Sequence, residues 1–420
     1  MNEVYLKLRA VRCSATRHGT VVFVLVSGLV GLGSCSVPTA RGEEFFLKHR
    51  VAASIEEEIG NAWVVFPVRS AQPRPNDAVP LNSPELTATL DLGTKWQLRL
   101  QTSLGDTGNG ILHVSVDRNG SIVANESISG VKRNPMYTEF GPVRLIVDHG
   151  GEPRPQWFQF QLWGSDEEHG QPTRTLRVAS ASYFRGTVKF GDRRMLVALI
   201  DAEANGLYQF VRKGSSGRGD RLLIDVNGDG RLDPADRDEA EPLSRYVFVG
   251  GQYWRLEPAP DGSSLVVEPA ELQVGMVHAD TDRFALLLEG DVGVLRVSGR
   301  DGKAPVPVGS HSVLRCDYHV RDESGKLWNV FTKVDGGNKT LLVTADADTK
   351  LPFGPPLVAR VSAASTTRGD ELTLDLTLAG AAGEICDGLA DERGRPPAAP
   401  KVKITDSAGR ELALLDFHYG

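Results

Sequence analysis

Leu372-Thr373-Leu374-Asp375-Leu376-Thr377-Leu378 sets a leucine at every second position, with a polar residue in each gap. Only an extended chain has that period: alternate side chains point to opposite faces, so the leucines share one side and Thr373, Asp375 and Thr377 the other. On a helix the same leucines would scatter around the axis. The alternation recurs upstream in Leu86, Ala88, Leu90 and Leu92, in Trp96, Leu98 and Leu100, and in Leu112, Val114 and Val116. Val143, Leu145 and Val147 continue it, as do Phe158, Phe160 and Leu162, and later Leu314, Cys316, Tyr318 and Val320 face away from Arg315, Asp317 and His319. Between the rows stand Asp117-Arg118-Asn119-Gly120, Asp261-Gly262, Asp301-Gly302, Asp322-Glu323-Ser324-Gly325 and Asp406-Ser407-Ala408-Gly409. In each, Asp caps a turn and Gly takes the positive φ that tight hairpins need. No 11-residue window carries a helical stripe. The sequence predicts an all-β protein of two or three antiparallel, sandwich-like domains, with barrels as the other all-β architecture.

The chain has 420 residues, 40% of them hydrophobic and 24% charged, with 45 Gly and 24 Pro, which is a turn-rich globular composition. Its net charge of −7 excludes a nucleic-acid binder, which needs a basic stripe to displace counterions from phosphates. Residues 42–60 lack alternation and read as a tether or a short helix, and Pro73, Pro75, Pro80 and Pro84 mark a loop. The predicted layout is a signal with lipobox over 1–35 and a tether, loop and first strand over 36–84. An N-terminal β domain follows over 85–170, then a middle β unit over 171–275 and a C-terminal β domain over 276–420.

Lys7, Arg9, Arg12 and Arg17 stand against a single Glu3 and are followed by an uncharged apolar run of 14 residues, Val21 to Ser34. This order is that of a secretory signal, and the run is shorter than the roughly 20 apolar residues of a membrane-spanning helix. Its end, Leu32-Gly33-Ser34-Cys35, resembles the bacterial lipoprotein box. The resemblance implies that Cys35 is lipidated, becomes the first residue and ties the protein to the membrane of the cell envelope. Cleavage after Ser36 would give a secreted protein instead, and an uncleaved run would be an anchor. Losing residues 1–34 removes four positive charges and one negative, so the remainder stands at −7 − 3 = −10. Cys316 and Cys386 stay in the folded part, as a disulfide or as two free thiols.

Residues 225–236 read Asp225-Val226-Asn227-Gly228-Asp229-Gly230-Arg231-Leu232-Asp233-Pro234-Ala235-Asp236. Oxygen acceptors at alternate positions suit Ca²⁺, a hard cation that takes six to eight oxygens, and residues 225–241 hold seven acids and two bases, a net −5 that a cation would relieve. The pattern resembles the EF-hand calcium loop, in the style of dockerins and of other extracellular β proteins. The resemblance implies side-chain ligands from Asp225, Asn227 and Asp229, a turn at Gly230 and a backbone carbonyl from Arg231. It places Leu232 in the core, Asp233 as a direct or water-mediated ligand, and Asp236 closing the shell. Asp236 stands where the family has Glu, which puts bidentate closure in doubt and makes Mg²⁺ more competitive. Leu222-Leu223-Ile224 before the loop and Tyr246 to Val249 after it read as strands, so the paired helices of an EF-hand are missing.

Asp201-Ala202-Glu203-Ala204-Asn205-Gly206 repeats the opening of the pattern 24 residues upstream (225 − 201), but its twelfth position is Arg212, which cannot ligate, so the stretch reads as a turn. Asp220 is close enough in sequence to serve either loop. Cys316, Trp328 and Cys386 follow the immunoglobulin order, yet Glu384 lies where that family has Tyr. The six Trp are spread along the chain and read as core or hairpin residues, and His169 sits in an acidic run that reads as a solvated loop. The common catalytic motifs are absent, and no catalytic residue is singled out. The expectation is an exported, lipid-anchored or secreted bacterial envelope protein with a structural Ca²⁺ site, a binding or structural module whose ligand is a protein or a polysaccharide. The alternative is a secreted carbohydrate-active hydrolase or carbohydrate-binding accessory protein.

Overall fold

The computed structural model describes residues 42–416 apart from 59, 61–63, 67–68, 71–84, 102–110, 119–120, 135–136, 150–151, 165–173, 216–217, 335–338 and 366–371. The signal with Cys35, Trp63, most of the proline loop, the turn residues Asn119 and Gly120, and the acidic run with His169 lie outside the described residues. The rest is β-structure: antiparallel open sheets, none closed into a barrel, with one helical turn at Ile55–Glu58. Among the described residues one parallel pairing joins Val274–His278 to Thr349–Lys350. Among the described residues no helix is long and apolar enough to cross a membrane. Two compact units divide the chain, one of residues 42–271 with 292–295, the other of 272–291 with 296–420.

The first unit contains two sandwiches. One packs the sheet of Glu85–Leu92, Thr94–Gln101, Ile111–Arg118 and Ser121–Ser129 against the sheet of Val131–Asn134, Tyr137–Val147, Arg154–Gly164 and Arg174–Ser180. Leu90, Leu92, Leu112, Phe140, Phe158 and Phe160 fill its core, each at most 1% exposed. At about 25 cal/mol for each Å² of apolar area removed from water, each such side chain contributes on the order of 2 kcal/mol. The strand Arg174–Ser180 pairs along Arg154–Gly164, so this sheet continues through the region where the sequence suggested a boundary at 170.

The second sandwich packs a sheet ordered Lys48–Val51, Ser182–Phe190, Arg193–Ile200, Arg221–Ile224, Ala240–Pro242 against one ordered Glu43–Phe46, Ser264–Pro269, Gln252–Pro258, Tyr246–Val249. Val197, Leu199, Leu222 and Ile224 point into that core, while Ala198, Ile200 and Leu223 build a smaller cluster on the opposite face. The central strands are therefore buried on both sides, which explains the unbroken apolar run of Leu222-Leu223-Ile224. Residues 42–60 are not a tether: Glu43–Phe46 edges one sheet and Lys48–Val51 the other, with Leu47 buried between them. No residue within these two edge strands is buried, only Leu47 between them, so no row of apolar residues announces them.

In the second unit, an eleven-stranded sheet carries the leucine strand, Leu372–Ala379, between Val358–Ser365 and Ile385–Asp391. Asp375 is exposed and Leu374, Leu376 and Leu378 are half-buried. The turn chemistry holds at Asp322, whose Oδ1 accepts from Ser324 and Lys326 N–H at 2.9 and 3.1 Å with Gly325 at φ 84°. Asp406 and Gly409 repeat that arrangement. At Asp301-Gly302, by contrast, the Asp itself takes positive φ, 50°. Cys316 and Cys386 are free thiols. Trp328 donates to Asp322 at 2.9 Å in its hairpin and has no disulfide to pack on.

Candidate metal centre

The strand Arg221–Ile224 runs antiparallel to Arg193–Ile200 on one side and to Ala240–Pro242 on the other. Four acidic residues stand where these strands are joined: Asp201 follows the first, Asp220 precedes the second, Asp225 follows it and Glu239 precedes the third. The pairing of Ile200 with Arg221 sets Asp201 beside Asp220, and Ile224 N–H donating to Glu239 O at 2.9 Å sets Asp225 beside Glu239. Two hairpin connections thus follow one plan.

In the second connection Asp225 is 6% exposed and organises the turn. Its Oδ1 accepts from the N–H of Gly228 at 2.7 Å and of Asp229 at 3.1 Å, and its Oδ2 from Gly230 at 2.9 Å. Asn227 Oδ1 accepts from Asp229 N–H and Asp229 Oδ1 from Arg231 N–H, both at 2.8 Å. Gly228 and Gly230 both have φ 78°, a conformation that costs any L-residue on the order of 1 kcal/mol. Leu232 packs on the small cluster around Ala198, Ile200 and Leu223, as the loop pattern requires of its eighth position.

The carboxylates of Asp225, Asp229 and Glu239 offer oxygens that all lie within 4.8 Å of one another. Oxygens around one Ca²⁺ at about 2.4 Å can be at most about twice that distance apart, so the trio has the right dimension. Glu239 is 1% exposed; its Oε2 accepts from Asp233 N–H at 3.0 Å, and its Oε1 has no hydrogen-bond partner. Burial pushes the Glu239 carboxyl above its ordinary value, and the charges of Asp236, Asp225 and Asp229 push the same way against that one N–H bond. A cation between these carboxylates would remove both causes.

Asp233 and Asp236 do not belong to the trio. Asp233 Oδ1 accepts from Ala235 N–H and Asp236 Oδ1 from Asp238 N–H, both at 2.8 Å, so each caps a turn of its own. Arg231 is exposed. The residue the loop pattern missed is Glu239, three beyond the expected closing position. Its place just before the strand Ala240–Pro242, matching Asp220 before Arg221–Ile224, is the signal that could have found it.

The upstream connection copies the same bonds. Asp201 Oδ1 accepts from Asn205 N–H at 3.1 Å and Oδ2 from Gly206 N–H at 2.8 Å, and Asn205 Oδ1 accepts from Leu207 N–H at 2.8 Å. Gly206 has φ 78° and Ala204, at the position of Gly228, has φ 50°. Asp220 serves this loop: Oδ1 accepts from Ala202 and Glu203 N–H at 3.0 and 3.4 Å, and Oδ2 from Gln209 N–H at 2.8 Å. Burial pushes Asp201 up to about 7 and Asp220 up to about 8, with their mutual repulsion adding to the latter. No known family profile matches the sequence, and neither a curated protein nor a solved structure matches it.

Proposed function

We propose that residues 225–239 bind one divalent cation, Ca²⁺ in preference to Mg²⁺, and that the ion is structural. The observation that carries this reading is Glu239 Oε1, buried without a partner beside the carboxylates of Asp225 and Asp229. An all-oxygen, many-acid donor set suits a hard cation, and the EF-hand-like pattern supplies further oxygens from Asn227 and the Arg231 carbonyl. Bound there, the ion would neutralise the loop and fix the hairpins on either side of Arg221–Ile224, and its binding energy would add to folding energy.

The rest of the reading comes from the N-terminal sequence. The protein is exported through residues 1–35, is lipid-anchored at Cys35 in the bacterial cell envelope or is secreted, and works as a binding or structural module outside the cytoplasm, where Ca²⁺ is plentiful. Thermal melts of the full chain in excess Ca²⁺, in excess Mg²⁺ and in chelator test the cation. The expected result is a Ca²⁺-dependent rise that Asp225→Ala and Glu239→Gln abolish, and equal melting in all three solutions overturns it. Labelled fatty acid incorporated by cells into the wild type and not into Cys35→Ala would support the anchor, and no label in either would remove it.

A further inference from the structure

Asp201 and Asp220 are 0% and 1% exposed, face each other across the ends of two paired strands, and have no basic side chain to pair with among the described residues. Their partners are five backbone N–H groups, from Ala202, Glu203, Asn205, Gly206 and Gln209. Burial and mutual repulsion penalise the doubly charged pair, the five N–H groups offset part of that penalty, and a metal ion or a proton would relieve the rest. The geometry favours the proton. The acids at 225, 229 and 239 converge as a trio, whereas among the described residues those of the upstream loop do not.

We propose that the Asp201 and Asp220 pair carries one proton at neutral pH, and that losing it to alkaline solution loosens the 201–209 loop from the first sandwich. The loop's seat there is specific: Ala204 lies in the sandwich core and Gly206 lies against Val147. The other charged or titratable groups around the pair do not supply the missing positive charge. Glu203 is exposed and acidic; the Tyr208 hydroxyl is buried without a partner; Asp261 is paired with Arg154; His149 bonds Asn205 O at 2.8 Å; and Arg221 reaches toward Gly60. Folding raises the affinity of these acids for protons, so the stability they contribute is complete below the ordinary carboxylate range. It is lost as pH rises through about 7 to 8.

The test is infrared spectroscopy of the full-length protein in chelator, titrated from about pH 5 to about pH 9, reading the carbonyl band of a protonated carboxyl group. One carboxyl should remain protonated at neutral pH, bleach with a midpoint near 7 to 8, and be missing from Asp220→Asn. Amide exchange of residues 202–209 should accelerate across the same window in the wild type. A band fully bleached by about pH 5 overturns the proposal, as does an alkaline band unchanged in both Asp201→Asn and Asp220→Asn. A Ca²⁺ stoichiometry of two that drops to one in Asp201→Asn also overturns it, because the counter-charge would then be a metal. The wild-type titration decides the matter even where a variant fails to fold.

Discussion

The loops that open at Asp201 and Asp225 share their bonds, their glycine conformation and the acid that precedes the following strand, and they differ in burial. Asp201, Ala204, Gly206 and Tyr208 are buried against the first sandwich and its neighbour, whereas residues 226–231 are all exposed. The same turn becomes a structural peg in one place and an open cup in the other. Under the two proposals, what differs between them is the source of the counter-charge. A loop sealed from water is neutralised by what it already holds, and a loop at the surface can recruit an ion.

The largest expected effect comes from the first Asp of each loop. Asp225→Ala and Asp201→Ala each orphan several backbone N–H groups in a turn, and each should lower stability by about 3 kcal/mol or more. Calcium titration followed by melting separates them: Asp225→Ala should lose its response to Ca²⁺, and Asp201→Ala should keep it. Equal loss of response in both would break the comparison. Next come the matched glycines. Gly206 and Gly230 share φ 78°, but a Cβ on Gly206 would meet Val147 Cγ1 at 2.6 Å while one on Gly230 would meet nothing within 4 Å. Urea unfolding should show Gly206→Ala losing about 3 kcal/mol and Gly230→Ala about 1 kcal/mol. Equal losses would mean that the upstream loop is not pressed into the core.

The pH response is smaller. In chelator, stability should fall on the order of 2 kcal/mol between about pH 5 and pH 8, and Asp220→Asn should flatten that slope. The smallest effect, and the most diagnostic, is Glu239→Gln. Without metal it should raise stability by about 1 kcal/mol, because it removes a buried charge crowded by three other acids. With Ca²⁺ the melting rise should be abolished. A destabilised variant in chelator would show that Glu239 is held by something other than a cation.

The all-β fold was legible because alternation and turn chemistry are local. Leu90, Leu112 and Phe160 lie in rows of period two, and the Asp turns at 261, 322 and 406 fold as their sequence indicates. The N-terminal edge strands were illegible because one buried residue, Leu47, makes no pattern. Two of the three carboxylates could be read, since Asp225 and Asp229 obey loop spacing. Glu239 could not, because its approach depends on strand pairing between residues 221–224 and 240–242. Nor could the sequence rank the upstream loop as the more buried of the two. Its fate is set by Val147, far away in the chain.

The edge strand Glu43–Phe46 has a consequence for how the unit assembles. Glu43 pairs with Val267, so this contact closes a span of 267 − 43 = 224 residues. Bringing such distant segments together costs loop entropy before any contact rewards it, and topologies of this kind fold slowly. The first unit cannot complete its second sandwich until the chain through Pro269 is available, after both acidic loops have been synthesised. During that interval Glu43–Phe46 is an unpaired strand, open to pairing with other chains, whereas Lys48–Val51 can already pair with Ser182–Arg185. A chain shortened before Ser264 should therefore be recovered as aggregate, and one ending after Glu271 should not.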